Sequence, residues 1–232
     1  MPLYLKERDL HTQERMDDPL CDRDTLFNTY RQFRLINRLV SRWKSIYKKY
    51  IRPYALSHGR SCSILDIGFG GGDIPITLAR WCANDNITPR IVAIETDDRA
   101  FEFVRELNAP DTVSFRLASS TAMAARKVRY DFVISNHLLH HLEANQVRTV
   151  LHEARILCRH RVLFNDIKRS DIGYLLFNLL SRPLFRNSFI TEDGLTSIKR
   201  SYTHKELEKS VPEGWQVHSL FPYRLLLTYE HE

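Results

Sequence analysis

Two groups of residues in this chain have types and spacings suited to chemistry. The first is Asp66-x-Gly68-x-Gly70-x-Gly72, within Ile64-Leu65-Asp66-Ile67-Gly68-Phe69-Gly70-Gly71-Gly72-Asp73. Only eight of 232 residues are glycine, and four of them share these five positions. A tight turn with nothing bound accounts poorly for that clustering. Glycine lets the chain turn sharply and lets a ligand approach the backbone. A dinucleotide fingerprint needs a glycine where Asp73 stands, and a phosphate loop needs Gly-Lys-Ser/Thr. Both phosphate readings are therefore weakened. The carboxylate of Asp66, just before the first glycine, suits a cationic ligand better. The second group is His137-Leu138-Leu139-His140-His141-Leu142, with Asn165-Asp166 further along. Histidine titrates near neutrality and can act as a base, or it can pin a loop. Asp166 could orient a histidine, bind substrate or cap the next helix.

Both groups need a scaffold. Residues 63–67 form a short apolar run that ends at the glycines, and residues 74–83 read as a helix. Strand signals follow at 90–95, 113–117, 131–135 and 161–165, with helical patterns at 98–107 and 144–157. Strand and helix in alternation predict an α/β fold: a doubly wound, three-layer arrangement of a mostly parallel sheet covered on both faces. After Asp166 the pattern changes to an apolar helix over 172–184 and a polar stretch over 186–201. A helix over 203–210 follows, with Thr203 and Glu206 at capping-box spacing. Strands at 215–221 and 223–229 should pair antiparallel, giving seven strands in all. Upstream, apolar residues recur every three or four positions from Leu26 to Tyr50. This predicts one amphipathic helix over 26–54, capped by Asp24 and stopped by Pro53. The economical division is an N-terminal extension and helical lid at 1–58, and one α/β domain at 59–232.

The net charge of +6 is uneven. Residues 1–60 hold thirteen Lys/Arg and seven Asp/Glu, whereas the remainder is balanced. The polar face of the N-terminal helix carries Arg31, Arg34, Arg38, Arg42, Lys44, Lys48 and Lys49. Such a face could track nucleic-acid phosphates or dock on an anionic membrane. No apolar run is long enough to span a bilayer, and the N-terminus lacks the apolar core of a signal peptide. Cys21, Cys62, Cys82 and Cys158 are far apart, without zinc-ligand spacing. Reduced thiols, a cytoplasmic protein and no structural metal are expected.

With its Asp-x-Gly-x-Gly-x-Gly motif after the first strand and its antiparallel closing hairpin, the chain resembles the class I S-adenosylmethionine-dependent methyltransferases, over about residues 60–230. The resemblance implies a Rossmann-like fold and S-adenosylmethionine as cofactor, with S-adenosylhomocysteine as product. It implies a cofactor set of Asp66, Gly68, Phe69, Gly70, Gly72, Glu95, Thr96, Ser119, Ser120 and Asn136. Glu95, ending the second strand, would accept the ribose hydroxyls. The family often places an aspartate against the adenine amino group, and here Ser119 stands in that place. The Leu-His-His-Leu string is similar to ubiquinone and menaquinone methyltransferases. Met16-Asp17-Asp18-Pro19, Asn165-Asp166-x-x-Arg169-Ser170 and Asp193-Gly194 before Tyr202-Thr203 resemble a narrower bacterial group near polyketide and phenol pathways. These likenesses imply a small hydrophobic acceptor, phenolic, quinonoid or polyketide, methylated on oxygen.

Candidate catalytic residues are then His140, His141 and Asp166. Candidate acceptor-binding residues are Tyr30, Phe33, Asn37, His137, Tyr174, Phe177 and Leu180. Nucleobase-amino methylation would call for Asn/Asp-Pro-Pro-Tyr/Phe after the fourth strand, but Asn136 is followed by His137-Leu138. Cytosine-C5 methylation would call for a nearby cysteine, and arginine methylation for paired glutamates, and neither is present. The alternatives are an RNA methyltransferase using the basic helix and a membrane-associated cofactor-binding protein without turnover.

Overall fold

The computed structural model describes residues 2–231. Three helices open the chain: α1 (Arg23–Val40), α2 (Trp43–Ile46) and α3 (Arg52–Ser57). The alternating part runs β1 (Ser61–Ile67), α4 (Asp73–Asn84), β2 (Thr88–Glu95), α5 (Asp98–Arg105), β3 (Val113–Leu117), α6 (Ser120–Ala125), β4 (Tyr130–Asn136), α7 (Ala144–Leu157) and β5 (Cys158–Ile167). It closes with α8 (Asp171–Leu184), α9 (Ile190–Arg200), α10 (His204–Ser210), β6 (Gln216–Leu220) and β7 (Arg224–Glu230). The strands form one sheet in the order β3-β2-β1-β4-β5-β7-β6. Pairing is parallel from β3 to β5, while β7 runs antiparallel to both β5 and β6. This is the expected seven-stranded, doubly wound sheet with an antiparallel last strand.

The central strands are buried on both faces, so their apolar residues run on without polar alternation. Leu65, Ile67, Val92, Ile94 and Val133 face α6, α7 and α10 on one side. Ile64, Ile91, Phe132 and Ile134 face α2, α3 and α4 on the other. A smaller cluster joins α1 to α5 through Leu26, Phe27, Tyr30, Phe103 and Val104. The carboxyl ends of β1, β2, β4 and β5 therefore open towards one sheet edge, where ligands bind in folds of this kind.

The N-terminal helix differs from the expected single rod. Asp22, not Asp24, is the cap, its carboxylate accepting the Thr25 amide at 2.8 Å. The helix ends at Val40, and Arg42 sits at φ 62° before α2 begins. Residues Tyr47–Ile51 then form a π-helical stretch that runs into α3, where Pro53 occupies the first turn. Proline needs no amide partner there, so it lies inside a helix instead of ending one. The stretch 186–201 also contains a helix, α9, which its polar composition hides.

Candidate active site

The glycine loop leaves β1 and turns at once into α4. Gly68, Gly70 and Gly72 take φ of 79°, 50° and 71°, so alternate residues adopt a conformation costly for any side chain with a Cβ. Gly71 has ordinary φ but no room: a Cβ there would lie 2.9 Å from the Tyr30 carbonyl oxygen. The backbone amides of Gly68 and Phe69 donate to the Ile94 carbonyl, which ties the loop to β2. The Phe69 side chain is buried edge-on to Phe115. Only its backbone is offered to a ligand.

Asp66 is 1% exposed, and neither carboxylate oxygen has a hydrogen-bond partner. Burial raises its pKa well above the usual range, with Asp73 and Glu95 adding to the rise. A buried, unpartnered carboxylate beside an open loop is an acceptor that a cationic ligand would satisfy. Glu95 ends β2 half-buried. One oxygen accepts the Gly70 amide at 3.2 Å and the other the Thr96 amide at 2.7 Å. The second oxygen also accepts the Asp97 amide at 3.4 Å and the Thr96 hydroxyl at 3.5 Å, so the first keeps the freer lone pair for a diol. A cleft of about 320 Å³ continues from Gly68 and Glu95 past Thr96, Ser119 and Ser120 to Glu153. Ser119 caps α6, its hydroxyl accepting the Ala122 amide at 3.1 Å. The Ser120 and Thr121 hydroxyls each donate to Glu153 at 2.6 Å. Glu153, on α7, is thus a second carboxylate in the cleft wall, and no local motif marks it.

α1 lies across the loop. Phe33 packs on Gly70 and Gly71. Tyr30, expected against the acceptor, is instead 3% exposed among Phe27, Phe33 and Phe103. Burial raises its pKa, and the charges of Asp97 and Glu95 add to the effect. Asn37 donates to Asp73 at 3.1 Å and accepts from Asn136 at 3.3 Å. Burial raises the Asp73 pKa to about 6, against the lowering effect of that Asn37 bond. The Asn136 side chain is not free for cofactor. Its oxygen takes Trp43 Nε1 at 3.0 Å, Arg224 at 3.2 Å and Asn165 at 3.3 Å.

Arg224, at the start of β7, was missed because no motif marks it. It is 2% exposed and reaches Asn165 at 3.1 Å, His137 Nε2 at 2.9 Å and Asn136. Burial lowers its pKa to about 10, which Asp166 partly opposes, so it remains a cation at neutral pH. His137 is half-buried at φ 61°, its amide bonded to the Asn165 carbonyl at 3.0 Å. Burial, and then the charge of Arg224, push its pKa well below the ordinary value. The ring is neutral, with Nε2 accepting from Arg224 and the proton on Nδ1.

The His140 ring lies 6.0 Å from that of His137, but its bonds leave it unsuited to be the base. It is 1% exposed, with Nδ1 2.6 Å from Asp166 and Nε2 3.3 Å from Glu14. Burial opposes its charge, but Asp166 and then Glu14 outweigh that and raise its pKa to about 9. Both ring nitrogens are donors to carboxylates, so neither can take a proton. Burial would raise Asp166, yet the His140 charge and bond hold it low. His141 is tied to Asp17 at 3.2 Å. Glu14, His140 and His141, or His137, His140 and Asp166, lie close enough to share a cation. The hydrogen bonds and proton on His140 already fill that role in both sets.

These histidines fasten residues 3–18 to the body. Asp171 accepts the amides of Leu3, Tyr4 and Leu5. Arg169, 1% exposed, donates to the carbonyls of Leu5 (2.9 Å), Lys6 (3.0 Å) and Ser201 (2.6 Å) and pairs with Glu206. Asp193 accepts the amides of Arg15 and Met16, and Ser197 bonds Glu14 at 2.6 Å. Phe177 packs on Gly194 of α9, and Tyr174 lies beneath Lys199 of α9. Leu180 is 57% exposed, on a stripe with Ile172, Leu175, Leu176 and Leu179.

Residues 64–161 match the family model described as a methyltransferase domain. No curated protein matches the sequence. Among solved structures, the plantazolicin methyltransferase BpumL in complex with SAH aligns with a TM-score of 0.64 at 15% identity, over 92% of this chain and 91% of that one. The same enzyme with a monoazolic desmethylPZN analog and SAH gives 0.56 at 14%, over 89% and 86%. An O-methyltransferase family protein from Burkholderia thailandensis gives 0.57 at 16%, over 93% of this chain and 61% of that one. At such identities the likeness is one of fold. Among the described residues, no helix is long and apolar enough to cross a membrane.

Proposed function

We propose that this chain, whose residues 64–161 match a methyltransferase domain, is a class I S-adenosylmethionine-dependent methyltransferase that methylates an oxygen of a small hydrophobic acceptor, phenolic, quinonoid or polyketide. In this reading residues 59–232 are the catalytic domain and residues 1–58 its lid. Asp66, the glycine amides and Glu95 hold the cofactor, with Thr96, Ser119 and Ser120 along the adenosine cleft. S-adenosylmethionine supplies an electrophilic methyl group on a sulfonium sulfur.

The observation that carries the acceptor reading is the buried Arg224 guanidinium, with neutral His137 beside it, where β4 and β5 end. No carboxylate bonds Arg224 directly among the described residues. A cation within about 4–6 Å lowers the pKa of a phenol by about 1–3 from its ordinary ~10. The His137 Nδ1–H can donate to the resulting oxyanion. An acidic phenol or enol then loses its proton to solvent, and no basic side chain is required. Asn37 and Asn136 fix α1 over the loop, which sets the acceptor oxygen in line with the methyl group. α1 and the segment after α8 are joined where Asn28 and Gln32 donate to the Arg186 and Asn187 carbonyls. Leu35 and Leu39 follow Gln32 on that helix face and are exposed. With the α8 stripe they offer apolar surface to an acceptor.

The test is turnover of a panel of phenols and enols of graded acidity by the full chain. Arg224→Met should raise the apparent pKa of the rate and penalise the least acidic phenols most. An unchanged pH profile in that variant would refute the role of Arg224. Intact S-adenosylhomocysteine binding with no oxygen acceptor turned over would refute the acceptor class.

A further inference from the structure

The second large cavity lies between the C-terminal half of α1, α2 and α4, and encloses about 630 Å³. Arg34, Arg38, Arg42, Lys44, Lys48 and Arg80 line it. Among the described residues, none of these six cations has an ion-pair partner or a side-chain hydrogen bond. Elsewhere on the surface Arg15, Arg23, Arg52 and Arg161 are each paired with a carboxylate. Asp73 is the only acid in the lining, and Asn37 already bonds it. Five of the thirteen Lys/Arg of residues 1–60 are thus gathered, with Arg80, into one concave groove. Arg42 lines it from a φ of 62°, a strained conformation for a side chain with a Cβ.

Asn37 and Trp43 are part of the lining, and both bond to Asn136 at the end of β4. A ligand whose anionic end rests among the cations can therefore extend towards the proposed methyl-transfer site. The walls are the three helices α1, α2 and α4, a shape that surrounds a compact anion. A flat bilayer would touch only the rim. An RNA strand would need the basic track to continue over the rest of the molecule, whose charge is balanced. Phosphate esters suit arginine-rich pockets because each guanidinium offers paired donors to two oxygens.

We propose that this groove binds the phosphate end of a phosphorylated small molecule, and that the acceptor itself carries that phosphate. The second part rests on the methyltransferase reading. Inorganic pyrophosphate is the probe, titrated calorimetrically into the full chain saturated with S-adenosylhomocysteine. Sulfate at matched ionic strength is the comparison. Pyrophosphate should bind at least tenfold more tightly than sulfate. The triple variant Arg38→Glu/Lys44→Glu/Lys48→Glu changes exposed side chains only. It should weaken pyrophosphate at least tenfold and leave S-adenosylhomocysteine affinity unchanged.

Equal binding of the two anions, or pyrophosphate binding that survives the triple variant, would overturn the proposal. So would the absence of pyrophosphate binding together with capture of phosphatidylserine vesicles or a single-stranded RNA. If S-adenosylhomocysteine fails to bind the wild-type chain, the cofactor-site reading fails instead, and pyrophosphate titrated into the unsaturated chain still decides the groove. If phosphorylated and unphosphorylated forms of one phenol turn over with the same KM, the groove does not serve the acceptor.

Discussion

The Glu14–His140–Asp166 cluster makes stability depend on pH in a direction that can be checked. His140 has a pKa raised to about 9 in the folded chain, against 6.5 for an ordinary histidine. A base whose pKa is raised by folding contributes fully below its unfolded value. It loses that contribution as pH rises through the folded value. At roughly 1.4 kcal/mol per pH unit, the loss between pH 6.5 and 9.5 is about 3 kcal/mol. The sign follows from the geometry. The ring gives one N–H to each of two buried carboxylates, and deprotonation leaves one of those bonds unmade and both acids uncompensated. The assay is urea unfolding followed by tryptophan fluorescence at several pH values across that range. Wild type should lose about 3 kcal/mol more than His140→Gln, whose side chain does not titrate. That variant should be weaker than wild type at pH 6.5 by roughly 3–5 kcal/mol, because two buried acids then lack a cation. Should it fail to fold, Glu14→Gln is the milder change. It removes one of the two carboxylates, so the loss should shrink and centre on a lower pH. Parallel profiles for wild type and variants would refute the assignment of a charged His140.

Other substitutions separate binding from folding. Glu95→Ala removes the acceptor of the Gly70 amide and of the proposed diol. Calorimetry should show S-adenosylhomocysteine affinity down by one to two orders of magnitude with little change in melting temperature. Unchanged affinity would remove Glu95 from the cofactor site. Gly71→Ala places a Cβ 2.9 Å from the Tyr30 carbonyl oxygen and 3.3 Å from Phe33. It should displace α1 and lower stability by about 1–3 kcal/mol, read as a melting shift of several degrees. A wild-type melting curve would mean that α1 does not rest on the loop. Glu153→Ala leaves the Ser120 and Thr121 hydroxyls without their acceptor in the cleft wall. About a tenfold loss of cofactor affinity is expected from one strong bond pair, and equal affinity would make that wall purely structural.

The sheet was legible because each central strand is a run of apolar residues ended by turn residues, and burial on both faces leaves nothing to interrupt it. The boundaries at 113–117 and 144–157 fell where they were expected. So did the cap at Thr203, where both capping-box bonds form. The helix over 26–54 misled for a physical reason. Trp43 and Tyr47 resume the spacing of three or four across the break at Ser41 and Arg42, so the period hides the interruption. α9 was hidden because it buries polar groups: Thr191, Asp193 and Ser197 are among its buried residues, and Asp193 and Ser197 bond the N-terminal segment. The glycine loop and Glu95, proposed to hold the cofactor, could be read because they are local features on adjacent strands. The acceptor half could not. Arg224 lies 88 positions from Asn136, and only the β5–β7 pairing brings it to the ends of the parallel strands.

Three sequence echoes with no evident common purpose meet in one device. Met16-Asp17-Asp18-Pro19, Asn165-Asp166-x-x-Arg169-Ser170 and Asp193-Gly194 before Tyr202-Thr203 all hold the segment at 3–18. They do so almost wholly through directed polar bonds. Such bonds fix the register of a strand-poor segment where apolar packing alone would let it slide. Asp166 sits at the junction. It neutralises His140, which grips Glu14 of the segment, and its charge also supports the buried Arg224. Its neighbour on β5, Asn165, bonds Arg224 at 3.1 Å and the Ser41 carbonyl at 2.6 Å, where α1 breaks. Two consecutive residues of one strand thus join the N-terminal segment, the break in the covering helix and the cation beside His137. A change in the charge of Asp166 must therefore be felt at the proposed acceptor site as well as in the segment.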